Sequence, residues 1–190
     1  MRSLPEGWRK ILELNLQKDK KTAGIITLGG AVAALVMGVL MHLRTPISVF
    51  FNRSGGVGAY FLRLGVLLAA YLAYVVLHEL THAAVMKAVG GGKVRFGFTG
   101  MYAFAGSEED YFDKTAYRCI ALAPLIVWGL ALLGLQLLVS GPWTWVVWLL
   151  QIGNVSGAAG DVYVTVKLAP MPGTILVRDT GVDMTVYDRA

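Results

Sequence analysis

The chain has 190 residues and a net charge of +5, with 56% hydrophobic residues against only 15% charged ones. At a mean hydropathy of +0.60, this composition lies outside the range of soluble globular domains and places the chain in a lipid bilayer. The single Cys119 excludes an internal disulfide framework and a cysteine-based zinc site. No phosphate loop, nucleic-acid motif or internal repeat accompanies the positive charge, so nucleic acid is not a predicted partner.

Residues 1–22 form a basic amino-terminal segment. Within it Leu4–Leu16, with Trp8, Ile11, Leu12 and Leu14 among Arg9, Lys10 and Glu13, reads as a short helix lying along the inner membrane surface. A solvated, frayed terminus is the competing reading. Four apolar stretches follow, Ala23–Leu43, Tyr60–Met86, Thr115–Val139 and Trp143–Leu168, each near or above the roughly 20 residues that a hydrocarbon core requires. The first follows a long polar stretch and ends without a small-residue cleavage site, so it reads as a retained span and not a signal peptide. Between spans two and three, Gly90-Gly91-Gly92 ends a helix. Val94, Phe96 and Phe98 then alternate with Arg95, Gly97 and Thr99 before Gly100 and Tyr102-Ala103-Phe104, a strand-turn-strand pattern. Pro124 falls inside span three, as a bend giving lateral or water access or as a packing kink. A second hairpin is predicted at Thr174–Val177 and Met184–Tyr187 around Asp179-Thr180-Gly181. The expected fold is an all-α integral membrane protein, a four-span helix bundle over residues 23–168 with small cytoplasmic β-hairpin elements and a tail over 169–190.

The positive charges set the orientation. Arg2, Arg9, Lys10, Lys18, Lys20 and Lys21 precede span one, and Lys87, Lys93, Arg95, Lys114 and Arg118 surround the loop between spans two and three. The opposite connections hold only Arg44, Arg53 and Arg63, and the turn Ser140-Gly141-Pro142 holds none. By the positive-inside rule both termini and the long loop are cytoplasmic, in a multi-pass cell-membrane protein that can also contact anionic lipid.

In span two, His78-Glu79-Leu80-Thr81-His82 is an HExxH motif. On a helix the histidines at i and i+4 share one face, where both can reach one Zn²⁺, and the glutamate sits beside the open coordination position as general base. The competing reading is a set of hydrogen-bonded core groups. Imidazole and carboxylate groups are costly at membrane depth and are usually functional there, which favours the metal. His82 lies five residues before Lys87, and Asp161, the one other carboxylate within a span, lies six residues before Lys167. Both therefore sit on the order of 10 Å from the cytoplasmic boundary, and Asp161 becomes the expected third ligand. Zinc with Glu79 and Asp161 sums to about zero charge, which makes two buried acids tolerable; a protonated Asp161 that only bridges helices is the alternative. Glu108, Glu109, Asp110 and Asp113 are further candidate ligands that read more naturally as a solvated run before a helix start at Asp113 and Lys114. His42, at the outer end of span one, reads as an interfacial residue. Asn154 lies two turns before Asp161 with Gly157 and Ala158 between; it is either a catalytic donor to a substrate carbonyl or oxyanion, or an interhelical hydrogen bond.

HELTHAA in span two, the Ala-Leu-Ala-Pro-Leu stretch ending at Leu125, and Asn154 with Gly160-Asp161 resemble the small bacterial four-span membrane zincin peptidases, relatives of the site-2 proteases. The resemblance extends over nearly the whole chain, including Pro172–Asp188. It implies that His78, His82 and Asp161 are zinc ligands and that Glu79 is the catalytic base. Against the site-2 proteases proper, Gly157 stands where their motif has proline, and Gly160 precedes the aspartate where theirs follows it.

The expected activity is zinc-dependent hydrolysis of a peptide bond in a membrane protein or peptide, within the bilayer near its cytoplasmic side. Two other classes remain open. A membrane metal-binding or transport protein would need a polar path, which Leu64–Leu77 and Val146–Gly153 scarcely offer; a catalytically silent scaffold would close its metal site to water.

Overall fold

The computed structural model describes residues 3–53, 55–100 and 102–189; Arg2, one of the amino-terminal basic residues, and Ala190, in the tail expected to be cytoplasmic, lie outside them. In chain order the elements are β1 (Trp8–Asn15), α1 (Lys20–Arg44), a 3₁₀ turn (Ile47–Val49), α2 (Gly56–Ala88), β2 (Arg95–Phe98), β3 (Ala103–Gly106), β4 (Phe112–Asp113), α3 (Lys114–Gln136), α4 (Trp143–Gly157), α5 (Ala159–Leu168), β5 (Leu176–Asp179) and β6 (Asp183–Arg189). Three helices among the described residues, α1, α2 and α3, are long and apolar enough to cross a membrane.

Local chemistry accounts for the boundaries. Asp19 caps α1, its carboxylate accepting from the Thr22 amide at 3.0 Å and the Thr22 hydroxyl at 2.5 Å, and Asp113 caps α3 by accepting from the Ala116 amide at 2.8 Å. The end of α2 is a Schellman motif. Gly90 takes φ +87°, and the Gly91 and Gly90 amides donate back to the Met86 and Lys87 carbonyls at 2.8 and 3.1 Å.

The expected fourth span is interrupted. Its apolar run splits into α4 of 15 residues and α5 of 10, and at 1.5 Å per residue α4 reaches only about 22 Å, short of a hydrocarbon core. The break falls at Ala158, whose amide donates to the carbonyls of Asn154 and Ser156. The two-turn spacing of Asn154 and Asp161 assumes one continuous helix, whereas Asn154 belongs to α4 and Asp161 to α5.

The fold is also not all-α. The segment expected as a surface helix is the strand β1, antiparallel to β6, with a bulge between Lys10 and Leu12. Leu12 and Leu14 turn inward, and pairing with the far end of the chain overrides the helical spacing of Trp8, Ile11 and Leu12. The four-stranded sheet runs β1-β6-β5-β4, and β2 and β3 form a separate hairpin. Both predicted hairpins are thus present, β2–β3 and β5–β6.

The chain folds as two compact units. One comprises Met1–Ile26, Leu77–Ala123 and Gly160–Ala190. Its core joins the sheet residues Phe112, Val177 and Val186 to Met86 of α2, Tyr117 and Ile120 of α3 and Leu168 of α5. The other comprises Thr27–Val76 and Pro124–Ala159. There Trp145 and Trp148 donate to the Thr45 and Met37 carbonyls, both at 3.0 Å, and pack with Met41, Phe50 and Val146. This unit presents many exposed aliphatic side chains, among them Leu35, Leu43, Leu68 and Leu130. A surface of that kind suits lipid and not water.

Candidate metal centre

His78 and His82 occupy successive turns of α2 and are both buried. Their Nε2 atoms are 3.2 Å apart. The Asp161 carboxylate, from the first turn of α5, closes the triangle with Oδ2 3.4 Å from His78 Nε2 and Oδ1 3.5 Å from His82 Nε2. Zinc bonds of about 2.0–2.2 Å in a tetrahedron put ligand atoms about 3.3–3.6 Å apart. The observed spacings of 3.2, 3.4 and 3.5 Å lie within about 0.1 Å of the edges of that tetrahedron, so these residues fit a zinc ion as a group. Among the described residues, this trio is the cluster of ligand-type side chains close enough to share one ion.

The surroundings prepare the ligands. His82 Nδ1 lies 2.9 Å from the Ile120 carbonyl oxygen. A carbonyl only accepts, so Nδ1 carries the hydrogen, and Nε2 is the nitrogen directed at His78 and Asp161. Glu79, half-buried on the same turn as His78, receives the backbone N–H of Ala105 in β3. That places the hairpin strand β3 beside Glu79.

The carboxyl-terminal hairpin holds β3 in turn. The Ser107 amide donates to the Asp179 carbonyl at 2.7 Å, and Gly106 abuts the Thr180–Gly181 backbone so closely that no side chain would fit. Asp179 accepts from the Tyr117 hydroxyl at 2.5 Å and from the Gly181 amide at 2.7 Å. Burial pushes its carboxyl above the usual range, and the Tyr117 hydrogen bond opposes the shift. Ile120, Ala105 and the Tyr117–Asp179 pair escape detection in the sequence because two of the contacts are made by backbone and the third joins residues 62 positions apart.

The remaining candidates take other parts. Asn154 is fully buried, accepting from the Tyr74 hydroxyl at 2.9 Å and donating to the Leu125 carbonyl at 3.1 Å. A side chain at Gly129 would approach its amide at 3.3 Å, so glycine there leaves room for the bond. Asn154 therefore makes the interhelical hydrogen bonds that the sequence allowed beside oxyanion donation. The loop acids are not the uniformly solvated run expected. Asp110 is buried and accepts from the Gly92 amide and the Ser107 hydroxyl, both at 2.6 Å, because the glycine turn after α2 has free N–H groups to satisfy. Glu108 pairs with Arg95, Asp113 is the cap of α3 and Glu109 is exposed. His42 accepts from the Ile47 amide at 3.1 Å and serves the turn after α1.

A family model described as putative zincin peptidase (DUF3267) matches residues 71–176, which hold the HExxH turn, the β2–β3 hairpin, α3 and Asp161. Neither a curated protein nor a solved structure matches the chain. That description suggests a zinc metallopeptidase, and the spacing of His78, His82 and Asp161 agrees with the zinc it implies. With the match spanning more than half of its residues, the chain belongs to the putative zincin peptidase family.

Proposed function

We propose that the protein is an intramembrane zinc peptidase of the site-2-protease type, cutting a membrane-associated polypeptide near the cytoplasmic side. One observation carries this reading: the Nε2 atoms of His78 and His82 and the Asp161 carboxylate converge within 3.5 Å beside Glu79, on a helix of membrane-spanning length. In this reading α4 and α5 together make the fourth crossing. Both termini and the loop from Lys87 to Lys114 face the cytoplasm, in line with the distribution of Lys and Arg.

His78, His82 and Asp161 would hold the ion, which when bound supplies a Lewis acid that brings the pKa of a water toward neutrality. Glu79 accepts the proton of the attacking water and returns it to the leaving nitrogen. The Ala105 N–H directs that carboxylate. The edge of β3 next to Glu79 offers backbone groups with which an extended substrate can pair. Helical substrates have their carbonyls already hydrogen-bonded, so cleavage requires local unwinding and favours Gly, Pro or Asn near the cut.

The test is Glu79→Gln, compared with the wild type at equal zinc content on a membrane peptide carrying a helix-breaking residue in the inner third of its span. The variant keeps its zinc and loses about 10²-fold or more in cleavage rate. If the wild type cuts no such peptide and Glu79→Gln behaves identically in every assay, a non-proteolytic metal-binding, transport or scaffold role replaces this reading.

A further inference from the structure

Pro124 stands in the interior of α3 and is almost wholly buried. In a regular helix the amide of residue 124 donates to the carbonyl of residue 120. Proline has no N–H, and its ring crowds that same carbonyl, so Ile120 oxygen is left without its helical donor. That oxygen is the one found 2.9 Å from His82 Nδ1. An interior proline releases one carbonyl in its helix, and here the released carbonyl meets a histidine of the HExxH motif.

We infer that Pro124 is a positioning residue for the metal centre: by denying Ile120 its helical partner it reserves that carbonyl for His82. The imidazole is thereby held with hydrogen on Nδ1 and with Nε2 turned toward His78 and Asp161. The Ile120 side chain is locked in the core with Met86, Tyr117, Leu168 and Val177, which fixes where its carbonyl points. An alanine at position 124 would return an N–H to that oxygen and divide the acceptor between two donors. A proline kept for bend or packing alone would not require its freed carbonyl to meet a particular side chain.

The inference rests on the zinc reading for its consequence, and its first readout needs no metal. In metal-free protein with ¹⁵N-labelled histidine, the His82 resonances, assigned by their loss in His82→Gln, should show a single Nδ1–H tautomer. Pro124→Ala should add Nε2–H population at His82 and weaken zinc binding, measured by competition with a chromophoric chelator, about 10- to 100-fold. The thermal midpoint of the metal-free variant should stay level or rise, since alanine favours a helix interior. Pro124→Ala/Leu125→Pro restores the N–H at 124 while keeping a proline in the helix, and should bind zinc as weakly as Pro124→Ala. Recovery of wild-type affinity in the double variant would show that the bend alone matters and overturn the inference. A wild-type Nε2–H tautomer would overturn it, as would unchanged tautomer and affinity in Pro124→Ala. If Pro124→Ala does not fold, the wild-type tautomer decides. Failure of the wild type to bind zinc while the tautomer still responds to residue 124 would reject the zinc reading and leave the positioning role standing.

Discussion

Replacing Gly106 with alanine probes whether the carboxyl-terminal hairpin supports the strand beside Glu79. A Cβ built at Gly106 lies well inside 3.0 Å of the Thr180 carbonyl carbon, the Thr180 oxygen and the Gly181 nitrogen. All three are backbone atoms, so no rotamer change relieves the overlap, and the 180–181 turn has to retreat by on the order of 1 Å. Overpacking of this kind costs about 1–3 kcal/mol. The shift also strains the 2.7 Å bond from the Ser107 amide to the Asp179 carbonyl, and a buried amide left unpaired adds about 1–3 kcal/mol. The expected loss is about 2–6 kcal/mol, seen as a fall of roughly 4–24 °C in the thermal midpoint of detergent-solubilised protein. Because Ala105 precedes Gly106 and its N–H directs Glu79, cleavage should fall as well at a temperature where the variant is folded and loaded. Gly173→Ala is the control, since an added Cβ there meets nothing within 4 Å. A Gly106→Ala protein with the midpoint and activity of Gly173→Ala would refute the idea that the tail hairpin braces β3.

Two further outcomes test the site and its orientation. Asp161→Asn removes the charge that balances a bound cation and should lose most of the zinc, read by metal analysis of the purified protein, with a lower thermal midpoint; unchanged stoichiometry would place the third ligand elsewhere. Lys93→Cys in a Cys119→Ser background should resist a membrane-impermeant thiol reagent in intact cells and react once the membrane is opened, whereas labelling from outside would invert the proposed topology.

Features that depend on local chemistry were legible in the residues. Uniform apolarity marks α1, α2 and α3, and alternation bounded by glycine marks β2–β3 and β5–β6. The HExxH spacing and the depth of Asp161 point to the three side chains that the structure brings together. What escaped depends on partners distant in sequence. β1 is a strand because β6 lies beside it, and Trp8 through Asn15 contain nothing that names residues 183–189 as neighbours. Asp110 reads as solvated in a run of acids, yet the Gly92 amide and Ser107 hydroxyl satisfy it in the interior. The break at Ala158 is hidden by its small neighbours Gly157, Ala159 and Gly160, which suit close helix packing as well as they suit an interruption.

That interruption also decides where in its helix Asp161 stands. Had Trp143–Leu168 formed one continuous helix, Asp161 would stand in its interior, where every backbone N–H is already paired and the helix offers an anion nothing. With α5 beginning at Ala159, Asp161 occupies the third position of the first turn. A first helical turn lies at the positive end of the helix dipole, where an acidic side chain is better placed than in a helix interior. The same break costs α4 the length to cross a bilayer alone. A shortened α4 and the place of Asp161 in a first helical turn are two consequences of one local departure from helical geometry, and from that turn the Asp161 carboxylate meets His78 and His82.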